Sequence, residues 1–240
     1  CSSDLARFCL HATIEDTSMI KVHHLNNSRS QRILWMLEEL HVPYEVVRYE
    51  RDPKTMLAPA SLKAVHPLGK SPVIEDDGRI VAESGAIIEY LGSVYGVNGM
   101  WPPVDTPEHR QIVYWLHYAE GSLMPPLLLS LVFDKIVNRP MPFFVKPIAQ
   151  KIASETTRQF IGPQIHTHLS WVDSQLDGRH WLVGRSLSAA DIQMSFPLEA
   201  AVARGLVTDD HPHIAAYVSR LQSRAAYRKA LEAGGPYDFA

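Results

Sequence analysis

Every strand-forming pattern in this chain ends by Ala82, and every long periodic stretch after it reads as helix. Any sheet must therefore be assembled within the first third of the sequence, with a helical remainder packed beside it. Ile20–Leu25 is short, β-rich and alternating. Asn26-Asn27-Ser28 interrupts it, and residues 28–41 follow with Ile33, Leu34, Leu37 and Leu40 at helical spacing. Ser28 or Ser30 suits the N-cap, and Val42-Pro43 stops the helix. Tyr44–Tyr49 is a second strand pattern, so a βαβ unit with parallel strands and a right-handed crossover is predicted. A loop with Pro53 and Pro59 leads to a helical turn near 61–65. Residues 72–75 and Arg79–Ala82 flank Asp76-Asp77-Gly78, a hairpin signal. Glu83-Ser84 opens a helix to about Tyr95. The predicted order is βαβαββα.

Residues 96–107 are rich in Gly and Pro and read as a linker. Beyond them the patterns predict helices over 107–137, 143–176, 188–205, 213–224 and 225–233. Pro125-Pro126 is expected to kink the first of these and Gly162-Pro163 the second. The expected fold class is an α/β N-terminal domain (19–96), a linker (97–106) and an all-α domain (107–240). Met19 opens the patterned region, so residues 1–18 are expected to be an extension.

Composition narrows function by exclusion. The net charge is -3, with 23 basic and 26 acidic residues and no basic run, which argues against a nucleic-acid footprint and a polybasic membrane patch. No stretch approaches the length of a membrane span. The two cysteines, Cys1 and Cys9, leave no disulfide framework, no CxxC and no zinc set, and no metal site is expected.

Three local features carry candidate chemistry. Lys70-Ser71-Pro72-Val73 puts a proline at the first position of a strand, where a cis bond would turn the preceding backbone toward a ligand; an ordinary edge proline fits as well. Glu83-Ser84 precedes a helix whose amides suit a carboxylate, with Ser84 as a hydroxyl donor and Glu83 as a partner for an ammonium; plain capping is the other reading. Ser28 lies between a strand end and a helix start, where α/β sites form, and it too suits a cap.

Together these features resemble the glutathione transferase family over residues 19–233. The resemblance rests on the run from His66 to Val73 (HPLGKSPV), the run from Glu83 to Leu91 (ESGAIIEYL), Trp181-Leu182-Val183-Gly184, and Leu187-Ser188-Ala189-Ala190-Asp191-Ile192. It implies a thioredoxin-like N-terminal domain and a helical C-terminal domain. The Ser188-x-x-Asp191 capping box is structural in that family. By resemblance to the serine-type classes, Ser28 donates its hydroxyl to the glutathione sulfur and Ser71 pairs with the cysteinyl amide. Lys70 meets the glycyl carboxylate, Pro72 is the cis proline, and Glu83 and Ser84 hold the γ-glutamyl end. Asn27 and Ser30 flank Ser28 and are placed to share its role. Tyr118, on the first long helix of the second half, is a candidate for the second-substrate pocket. The family further implies a cytoplasmic homodimer that joins glutathione, as co-substrate with no resident cofactor, to a small electrophile. Two alternatives stay open: a glutathione-dependent peroxidase or disulfide reductase at the same site, and a non-catalytic binding or scaffold protein.

Overall fold

The computed structural model describes residues 19–55, 57–96 and 99–240. The expected extension 1–18, with both cysteines, and the start of the expected linker lie outside the described residues. The first half contains β1 (Ile20–Leu25), α1 (Ser30–Leu40), β2 (Tyr44–Tyr49), α2 (Leu62–Val65), β3 (Val73–Asp76), β4 (Arg79–Ala82) and α3 (Ser84–Tyr95). The second contains α4 (Pro107–Tyr118), α5 (Met124–Val137), α6 (Lys146–Thr156), α7 (Gly162–Leu176), α8 (Ala189–Ala203), α9 (Pro212–Gln222) and α10 (Ala225–Gly234). This is the α/β half followed by an all-α half that the patterns predict, and the α/β half has the thioredoxin-like arrangement that the resemblance implies.

The sheet order is β2-β1-β3-β4. β1 runs parallel to β2 with Ile20 opposite Tyr44, and β3 is antiparallel to both β1 and β4. The helix α1 joins the two halves. Nine of its eleven residues are buried, and it packs on the sheet, α3, α8 and α10. The approach of α10 is close at Gly234, where a Cβ would overlap the Gln31 side chain. α1 begins one residue later than a Ser28 cap would require. Arg29 is the cap residue, and Ser28 instead accepts the Ser30 N–H at 3.2 Å, so its hydroxyl still satisfies a first-turn amide.

A π turn marks each place where a proline was expected to kink a helix. Two π turns, Ala119–Leu123 and Thr157–Ile161, keep α4–α5 and α6–α7 continuous. In the first, the Met124 N–H closes onto the Ala119 carbonyl just before Pro125. In the second, the Gly162 N–H closes onto Thr157 just before Pro163. Widening the turn ahead of the ring accommodates a residue that has no N–H to donate and would crowd the carbonyl four residues back. α6 starts at Lys146 rather than near Phe143. The described part of the Gly/Pro-rich segment is docked: Met100 is buried and its carbonyl accepts from the Ala189 N–H at 3.1 Å.

The Ser188–Asp191 capping box opens α8 inside the helical core. Asp191 accepts from the Leu182 N–H (2.9 Å), the Ser188 N–H (2.8 Å), the Ser188 hydroxyl (2.9 Å) and the Tyr217 hydroxyl (2.6 Å). Burial pushes this carboxyl up, and the four donors oppose that push. Asp191→Ala leaves buried donors unpaired, each costing about 1–3 kcal/mol. The variant should lose about 3 kcal/mol or more, read as a lowered urea midpoint; an unchanged midpoint would remove the box from the folding core.

Candidate active site

A cavity of about 390 Å³ opens between the loop before β3, the start of α3 and the first π turn of the helical half. Arg29, His66, Leu68, Lys70, Ser71, Pro72, Ala82, Glu83, Ser84, Gly85 and Glu120 line it. Five of the sequence candidates, Lys70, Ser71, Pro72, Glu83 and Ser84, therefore share one wall. The Ser71–Pro72 bond is cis. The Ser71 hydroxyl donates to the His23 carbonyl at 2.8 Å and accepts from the Leu25 N–H at 3.2 Å, which fixes this loop against β1.

The N-terminus of α3 faces the cavity without a side-chain cap. Glu83, the cap residue, has φ 74° and ψ 127°, a conformation that a non-glycine residue adopts at a cost of about 1–3 kcal/mol. That strain turns Glu83 out beside the first-turn amides and leaves them available to an anion. Ser84 is buried next to them.

Ser28 is not among the lining residues. It is buried, and its hydroxyl pairs with that of Ser30 at 2.8 Å. Ser30 in turn meets His24 Nδ1 at 2.9 Å. Burial, with Arg48 adding to it, holds His24 down to about 4, so the ring is neutral near pH 7. Its N–H is taken by the backbone of Gly234, which leaves Nδ1 as an acceptor. Ser30 then donates to His24 and Ser28 donates to Ser30. Tyr118 also lies off the cavity wall: it is buried, stacks near Tyr114 at 5.6 Å, and its hydroxyl pairs with His168 Nδ1 at 2.8 Å.

Arg29 and Glu120 are lining residues that sequence reasoning did not single out. Glu120 sits in the first π turn. The Arg29 Nε donates to both its oxygens, at 2.9 and 3.1 Å, and Arg32 donates to one of them at 2.5 Å. Burial opposes ionisation of Glu120, but Arg32 and Arg29 outweigh it and hold the carboxyl below its usual range. Among the described residues no group of three His, Cys, Asp or Glu side chains is placed to hold a metal ion.

A glutathione S-transferase N-terminal domain model matches residues 28–94, and a glutathione S-transferase C-terminal domain model matches residues 133–225. Glutathione S-transferase 1 of Saccharomyces cerevisiae is 35% identical over 222 residues, covering 89% of this chain and 94% of that protein. This chain belongs to the glutathione S-transferase family. Glutathione S-transferase 3 of Schizosaccharomyces pombe is 37% identical over 214 residues, covering 89% of this chain and 87% of its own length. A crystal structure of a glutathione S-transferase from Actinobacillus pleuropneumoniae has a TM-score of 0.75 and 35% identity, covering 92% of this chain and 95% of that one.

In this transferase-family chain the C-terminal tail braces the loop between β1 and α1, next to Arg29 of the cavity wall. The Asn27 amide donates to Asp238 Oδ2 at 2.8 Å, and the Asp238 N–H returns to Asn27 Oδ1 at 2.9 Å. Tyr237 donates to Glu199 at 2.9 Å, and Phe239 packs edge-on against Phe196. Burial pushes the Glu199 carboxyl up from 4.5 to about 7. The folded state therefore keeps this proton after the unfolded chain has released it. Its stabilising contribution is full below about pH 4.5 and is lost as pH rises through about 7, by about 3 kcal/mol in all. Glu199→Gln keeps an acceptor for Tyr237 without the titration. Urea midpoints measured from pH 5 to 8 should fall with pH in the wild type and stay nearer level in the variant. Parallel slopes would show that Glu199 is not the source.

Proposed function

We propose that this chain is a glutathione transferase whose 19–96 half binds glutathione and whose 107–240 half shapes the pocket for a small electrophile. The observation that carries this reading is the convergence of Lys70, Ser71, Glu83, Ser84 and the uncapped α3 terminus on one cavity. Glutathione carries two carboxylates, one ammonium and one thiol. The α3 amides with Ser84 suit the γ-glutamyl carboxylate, Glu83 suits the neighbouring ammonium, and Lys70 suits the glycyl carboxylate. The Ser71 backbone suits the cysteinyl amide. That assignment leaves the sulfur near Arg29, with the Ser28 hydroxyl one residue away and buried behind the wall.

The chemistry required there is stabilisation of a thiolate. A free thiol has a pKa of about 8.5 and is only a few per cent ionised at pH 7. Turning the Ser28 O–H from Ser30 to the sulfur exchanges a neutral acceptor for a charged one. A hydrogen bond of that kind contributes about 1.5–3 kcal/mol, or roughly one to two pKa units. Arg29, held in place by Glu120, adds positive charge to the same region. Holding thiolate and electrophile together supplies much of the remaining acceleration. The cytoplasm and a homodimeric assembly complete this reading.

The test is the pKa of the bound glutathione thiol, followed by ultraviolet thiolate absorbance. A depressed value should rise by about one to two units in Ser28→Ala, with kcat/KM at neutral pH falling about tenfold or more. If Ser28→Ala leaves the pKa depressed while Arg29→Gln restores it, the role passes to the guanidinium. Glutathione that does not bind, or binds with an ordinary thiol pKa, sinks the transferase reading.

A further inference from the structure

The helical half sends out an arm that its own fold does not cover. α5 runs out to the loop of residues 138–145, and α6 returns from it. Of the eleven residues of α6 only Ala153 is buried. Phe143 is 87% exposed and Phe144 64% exposed, and the two rings meet edge to face with centroids 5.6 Å apart. Ile148 and Ile152 stand exposed on the returning helix. Exposed apolar side chains this closely spaced along one arm mark an interaction site.

The charges on the arm indicate the partner. From residue 135 to 154 there is no Asp or Glu, while Lys135, Arg139, Lys146 and Lys151 are all exposed. The flanking acids are engaged elsewhere: Asp134 with Arg204 at 2.7 Å and Glu155 with Arg158 at 2.6 Å. Among the described residues none of the four cations forms an ion pair. These cations are spaced too widely to register as a basic run in the sequence; Arg139 and Lys146 border the two rings, and Lys135 and Lys151 stand further back on α5 and α6. A second copy of the arm laid against this one would bring like charges together. A loop with two adjacent exposed phenyl rings, bordered by Arg139 and Lys146, suits a yielding surface that is negatively charged.

We propose that the α5–α6 arm docks this protein on anionic lipid bilayers, with Phe143 and Phe144 among the headgroups and the four cations against acidic lipid. With fourteen residues in α5, the tip stands roughly 20 Å from the π turn that carries Glu120.

The experiment is sedimentation of the full chain with vesicles of phosphatidylcholine alone or with phosphatidylserine added. Binding should require phosphatidylserine and weaken as salt rises. Phe143→Ser/Phe144→Ser, and separately Arg139→Glu/Lys146→Glu, should each lower partitioning about tenfold or more, with thermal unfolding unchanged. The proposal is overturned if phosphatidylserine vesicles are not bound, or if both vesicle types are bound alike and the charge variant has no effect. Self-association that the phenylalanine variant abolishes, without vesicle binding, assigns the arm to a second copy. Retention on immobilised polyglutamate without vesicle binding assigns it to an acidic protein.

Discussion

A guanidinium sealed inside the junction of the two halves governs much of this structure. The Arg32 side chain is 1% exposed, and a charge so placed is tolerable only when paired. Its partners come from the other half of the chain: the Gln193 carbonyl on α8 and the Glu120 carboxylate on the first π turn. Satisfying Arg32 thus fixes where the helical half sits against α1. It also fixes Glu120, which in turn holds Arg29 at the cavity wall. A further ion pair between the halves, Arg224 with Glu39 at 2.5 Å, secures the far end of α1.

Most of the architecture was legible because it rests on local period. Alternation marked β1 and β2, helical spacing marked α1, and Asp77-Gly78 marked the hairpin. The wall residues from Lys70 to Pro72 and from Glu83 to Ser84 were legible as short motifs at element ends. What was not legible depends on distant pairing. Glu120 reaches Arg32 across 88 positions, and Asn27 reaches Asp238 across 211. No window of sequence contains both partners. Ser28 was legible as a hydroxyl at a strand end, but its burial and its bond to Ser30 follow from His24, whose protonation is set by packing. Proline signalled a disturbance in each long helix without saying that it would take the form of a π turn.

Charge behaves differently at the scale of the chain and at the scale of an element. The whole molecule carries -3, a value that says nothing of the cations gathered on the α5–α6 arm or of Arg29 and Lys70 at the cavity. Net charge governs solubility and long-range encounter. Recognition depends on which charges the fold leaves without partners.

A π turn is an α-helix carrying one residue in excess. Ile112, Trp115 and Leu116 ahead of the first π turn and Pro126, Leu127 and Ser130 beyond it are buried at spacings that one helical face already satisfies. The wide turn therefore does not mark a change of buried face. It falls where Glu120 reaches Arg29 and Arg32, so the one irregular turn of this long helix is also the place where the helical half hands a carboxylate to the other half of the chain.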